Sequence, residues 1–149
     1  MATTIGNETN LIDTLNNLIR LDYDAIEAYQ AAINRLQDAT CKEQLTQFMH
    51  DHERHTRDLS AIVTQLGATP ATESDLKAWL TQGKVVIGNL TGDSGILKAM
   101  KSNEDDTNTA YEQALGRGDA TPDVREVLQR NLDDERRHRS WIETRLTQM

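Results

Sequence analysis

Eight residues of this chain fall into two matching sets of four. Asp22 is followed seven residues later by Tyr29, and then by His52 and His55; Glu104 is followed seven residues later by Tyr111, and then by Glu135 and His138. Asp22 lies 30 residues before His52, and Glu104 lies 31 before Glu135. Carboxylate mixed with imidazole favours iron, manganese or zinc over calcium or magnesium. An (acid or His)-x-x-His step puts two side chains on one helix face, one turn apart, so a single helix can offer both to one ion. Four packed helices, two with one acid and two with such a pair, would converge three carboxylates and three imidazoles on one point, the pattern of a di-metal carboxylate site. Tyr29 and Tyr111 lie two turns from the acids, where they could donate hydrogen bonds to metal ligands.

Angular position separates these residues from their neighbours. At roughly 100° per residue, positions seven apart lie nearly on one line of a helix. Asp22 is four residues after Leu18 and four before Ile26, inside an apolar stripe, whereas Glu27 points to solvent. In the second segment His52 and His55 share the stripe, while His50, Asp51, Glu53 and Arg54 fall off it. The same test selects Glu104 over Asp105 and Asp106, and Glu135 with His138 over Asp133 and Asp134. Glu53, beside His52, is an alternative ligand if the helix is rotated slightly. No catalytic residue is expected apart from this cluster. Buried carboxylates pair, protonate or bind metal. The metal-free alternative is therefore a salt-bridged core of three acids against three partly protonated histidines, and six inward groups repeated in both halves favour metal over it.

Helices must position these residues. Apolar residues recur three and four apart at Leu11, Leu15, Leu18, Ile26, Tyr29, Ile33 and Leu36, which predicts a helix over about 8–37 with Thr9 or Asn10 as its cap. The stripe Leu45, Phe48, His52, His55, Leu59, Ile62, Leu66 predicts a second over about 41–66, stopped by Gly67 with Pro70 beyond. Leu97, Met100, Glu104, Asn108, Tyr111 and Leu115 predict a third over about 94–115. Thr121 then Pro122 marks the start of a fourth, about 121–147, carrying Val124, Val127 or Leu128, Asn131 or Leu132, Glu135, His138, Ile142 and Leu146. Residues 68–92 form a long crossover with a short helix at about 74–90, which lets the third helix start at the same end as the second. The fold class is all-α, an antiparallel four-helix bundle.

Composition agrees with one domain spanning 1–149. Charged residues make up 27% and there are two prolines, which suits long exposed helices. A net charge of −8 without a basic stripe disfavours nucleic acid. No apolar run approaches the roughly 20 residues that cross a bilayer, and no leader peptide is visible, so the expected location is the cytoplasm. The lone cysteine, Cys41, forms no intrachain disulfide and is expected to be an inert surface thiol. Arg117-Gly118-Asp119 is expected to be a turn.

At the ligand segments the chain resembles the ferritin-like superfamily, bacterioferritin in particular. LNNLIRLDYDAIEAY (15–29) is similar to that family's first-helix ligand segment, with Asp22 in place of Glu. HERHTRDLSAIVTQLGATP (52–70) resembles its second-helix Glu-x-x-His segment, DERRHRSWIETRL (134–146) its fourth-helix motif, and NEDDTNTAYEQAL (103–115) aligns through Glu104. The layout is also similar to a group of small bacterial ferritin-like proteins of unknown function. The resemblance implies two bound irons, with Asp22 and Glu104 as terminal carboxylates, His55 and His138 binding one metal each, and Glu135 bridging. It further implies Fe(II) oxidation by oxygen or peroxide, in stress protection; a degenerate member without metal would be a structural or interaction module instead.

Three departures shape these expectations. His52 stands where the family has its second bridging Glu, so only three carboxylates face two ions. Glu53 follows His52 where bacterioferritin has its haem-binding methionine, so no haem is expected. The sequence stops at Met149, just past the fourth helix, so a monomer or homodimer is expected rather than a many-subunit storage cage.

Overall fold

The computed structural model describes residues 3–73 and 92–149. They form four helices: α1 (Leu11–Arg35), α2 (Ala39–Gln65), α3 (Asp93–Leu115) and α4 (Pro122–Thr147). The helix expected at about 74–90 lies outside the described residues. Among those described, no helix is long and apolar enough to cross a membrane.

Local chemistry sets the helix ends. The Asn10 side chain accepts the Asp13 backbone N–H at 2.9 Å and starts α1. Asp38 accepts the Cys41 N–H at 2.8 Å and starts α2 two residues earlier than the apolar pattern indicates. Gly67 ends α2 with φ +81°, where a side chain would be strained. Its N–H bonds Thr64 O and the Ala68 N–H bonds Val63 O, the paired closure of a Schellman motif. Thr121 and Pro122 open α4 as cap and first helical residue.

Charged and polar side chains give the topology. Arg117, just past α3, donates to Gly6 O and Glu8 O ahead of α1, while Asp93 at the start of α3 accepts the backbone N–H groups of Gln37 and Asp38 at 2.9 Å each. So α1 and α3 are antiparallel. Between α2 and α4 the ion pairs Asp38–Arg145, Asp51–Arg137 and Asp58–Arg130 run in opposite directions along the two helices, so these are antiparallel too. Short turns make α1–α2 and α3–α4 antiparallel hairpins, and every neighbouring pair in the four-helix bundle therefore opposes. α2 therefore ends and α3 begins at opposite ends of the bundle.

The core has three layers. One apolar layer holds Leu15, Leu18, Ile19, Leu59, Val63 and Leu128; the other holds Ala25, Leu45, Phe48, Leu97, Met100 and Ile142. Buried polar side chains lie between them along the helices. On α1 the buried face turns slightly from the expected stripe: Ala25 and Ala32 are fully buried, while Ile26 and Ile33 are half-buried. Leu66, expected on the α2 stripe, is exposed because α2 ends before it, and Val63 takes its place in the core. Cys41 is buried, not a surface thiol, and burial pushes its pKa up. Arg117 and Asp119 of the tripeptide pair with each other in the α3–α4 turn.

Candidate metal centre

The structure brings all six expected donors together. Asp22 comes from the middle of α1, His52 and His55 from α2, Glu104 from α3, and Glu135 with His138 from α4; all are buried. They make two overlapping groups, Asp22–His52–His55–Glu135 and His52–Glu104–Glu135–His138, so His52 and Glu135 belong to both.

In the first group, His52 Nδ1 lies 2.7 Å from Asp22 Oδ1 and 3.4 Å from Glu135 Oε1. His55 Nδ1 lies 3.2 Å from Asp22 Oδ1 and 3.3 Å from Glu135 Oε1. In the second, Glu104 Oε1 lies 3.4 Å from both His52 Nε2 and His138 Nδ1, and His138 Nδ1 lies 3.7 Å from Glu135 Oε2. Tetrahedral coordination with bonds of about 2.0–2.2 Å sets neighbouring donors roughly 3.3–3.6 Å apart. Most separations here match that edge. Those to Asp22 are hydrogen bonds, but two of the other donor atoms, Glu135 Oε1 and His138 Nδ1, are buried with ion-pair contacts of 3.3–3.4 Å and no hydrogen-bond partner. An unpaired buried acceptor costs about 1–3 kcal/mol, and an ion between the donors would satisfy both atoms. The donor set therefore fits a metal, and the buried groups could hold one.

Two tyrosines cross between the halves. Tyr29 on α1 donates to Glu104 on α3, and Tyr111 on α3 donates to Asp22 on α1 at 2.5 Å. Burial and the facing carboxylates push both phenols well above their ordinary pKa, which keeps them donors. Thr107 Oγ1 donates to Glu135 Oε2 at 2.8 Å.

The electrostatics are those of a dense ionic cluster. Burial raises the Asp22 pKa, but the charge on His55 and hydrogen bonds from His52 and His55 outweigh it and hold Asp22 below the usual carboxylate range. Glu104 is held well below by His138 in the same way. Burial opposes the charge on His52, yet the surrounding carboxylates push it up to about 9; His55 is pushed up to about 12.

Two residues that contact the candidate ligands escaped the helix-by-helix reading. Asp134, set aside in favour of Glu135, lies 2.9 Å from His55 Nε2; Asp51, set aside as off the stripe, lies 2.8 Å from His138 Nε2. Each aspartate holds the outer nitrogen of a histidine on the opposite helix and so turns its Nδ1 inward, as carboxylates behind metal-bound histidines do. Arg54 and Arg137 each pair with both aspartates, closing a four-residue ionic clasp on the α2–α4 seam. A signal for it exists in the repeated Asp-x-x-Arg-His step, Asp51–Arg54–His55 and Asp134–Arg137–His138. Glu53 faces outward beside His50 and is not in either donor group.

Residues 10–117 match the model of a family described as Domain of unknown function (DUF2383), and the chain belongs to that family. The matched segment includes Asp22, His52, His55 and Glu104. The family shown is thus one without an assigned function, as the likeness to uncharacterised proteins suggested, and not bacterioferritin. A comparison with curated proteins finds no match.

Proposed function

We propose that this protein is a ferritin-like metalloprotein that binds two transition-metal ions, iron by preference, in the middle of its bundle. The observation that carries this reading is the pair of buried donor groups, near tetrahedral spacing, that share His52 and Glu135 and leave Glu135 Oε1 and His138 Nδ1 without other partners. Asp22 and His55 would hold one ion, Glu104 and His138 the other, with Glu135 between them and His52 completing both groups. Bound iron would supply one-electron redox chemistry, which supports Fe(II) oxidation by oxygen or peroxide and a role in protection against metal or oxidative stress. The chain's own residues prepare the site: Tyr29 and Tyr111 orient Glu104 and Asp22, Asp51 and Asp134 orient His138 and His55, and the apolar layers on either side keep water from the ligands.

The test is anaerobic Fe(II) loading, desalting, and metal analysis, followed by an absorbance scan in air. Near two irons per chain and a new near-ultraviolet band are expected; absence of retained metal contradicts the proposal.

One observation favours a second reading, a metal-free bundle serving as a structural or interaction module. Asp22, Glu104 and Glu135 match His52, His55 and His138 in number, and the histidine pKa values are raised by those acids. Such a core would melt at the same temperature with and without chelator, whereas a metal joining four helices raises the melting temperature in proportion to its binding.

A further inference from the structure

Resting on the di-metal reading, we propose that His52 bridges the two ions through its ring, giving Nδ1 to one and Nε2 to the other. His52 Nδ1 faces Asp22 and Glu135 Oε1, donors of the first group; its Nε2 faces Glu104 Oε1, a donor of the second. His55 and His138 are built differently. Each spends its Nε2 on an aspartate at the α2–α4 seam and has only Nδ1 for an ion. His52 has both nitrogens directed at ligand carboxylates.

The ring is also enclosed. His52 is fully buried, with ring centroids of Tyr29 at 5.3 Å, His138 at 5.2 Å and His55 at 5.4 Å. Three rings thus pack near it within the buried centre.

Bridging in this way would release both ring N–H protons of His52 to solvent, each nitrogen–proton bond being exchanged for a nitrogen–metal bond with no change of oxidation state.

The experiment uses the full chain labelled with nitrogen-15 in histidine and loaded with two equivalents of cadmium-113. Scalar coupling to cadmium reports which ring nitrogens bind metal. His52 is expected to show splitting at both nitrogens, His55 and His138 at Nδ1 alone, and the exposed His50 at neither. Two bound cadmium ions with His52 split at one nitrogen, or at none, would overturn the bridge while leaving the di-metal reading intact. No retained cadmium would overturn both.

Discussion

His55 on α2 and Asp134 on α4 meet at 2.9 Å across the helix seam, and His138 and Asp51 repeat the contact in the opposite direction at 2.8 Å. Two of the three histidines that reach into the candidate centre are thus each aimed by an acid of the facing helix. Replacing such an acid typically costs 10–100-fold in metal affinity. Asp134→Asn and Asp51→Asn are each expected to weaken metal binding by about that factor, measured by competition against a coloured chelator. Unchanged affinity in both would show that the clasp only joins the helices.

Glu135 is the carboxylate common to both donor groups. Glu135→Ala is expected to abolish binding of two ions per chain while the bundle stays folded, because the apolar layers on either side remain intact. Metal analysis alongside far-ultraviolet circular dichroism checks this. Retention of two ions would remove Glu135 from the site.

Tyr111 donates to a buried, ionised Asp22. A hydrogen bond to a charged group contributes about 1.5–3 kcal/mol. Tyr111→Phe keeps the ring and deletes that bond together with the 3.3 Å one that Asn131 Nδ2 donates to the phenol oxygen, so the metal-free protein should melt lower by roughly 2–4 °C for each kcal/mol lost. Thermal unfolding followed by circular dichroism reads the difference.

The metal-free and metal-loaded proteins should respond oppositely to pH. Asp22 lies below its ordinary 3.8 in the fold, so its contribution is present above that value and lost as pH falls through the lower native one. His52 and His55 are raised from 6.5 to about 9 and about 12, so their contribution is complete below 6.5 and declines as pH rises, that of His52 being gone by about 9. Metal-free stability should therefore fall both on acidification and above neutral pH. Metal binds deprotonated imidazole, so affinity rises with pH over the same range. Melting at several pH values with and without metal should show the gap between the two curves widening from slightly acidic to alkaline conditions.

The six donors were legible in the sequence because each interrupts an apolar stripe at helical spacing, where a charge needs an explanation. Asp51 and Asp134 were not, because a single-helix test asks only whether a side chain faces the core. Each sits about 100° from its inward neighbour, which points it along the seam toward the other helix, and only the packed pair shows what it meets. Ala25 and Ala32 outrank Ile26 and Ile33 on the buried face of α1 for a related reason: hydrophobicity alone favours the larger side chain, while packing against neighbouring helices leaves the alanines inside. Cys41 misled because a helix start was read as surface, whereas Asp38 caps α2 from outside and leaves the thiol facing the core.

We propose one centre in which Asp22, His52, His55, Glu104, Glu135 and His138 together hold two metal ions. Its most direct test is a crystal structure of protein grown with excess zinc or manganese, with anomalous diffraction recorded at the metal edge. Two peaks are expected between these side chains, one beside Asp22 and His55 and the other beside Glu104 and His138. An anomalous map without density among the six, from crystals whose surface sites show that the metal was present, would contradict the account and leave a salt-bridged core in its place.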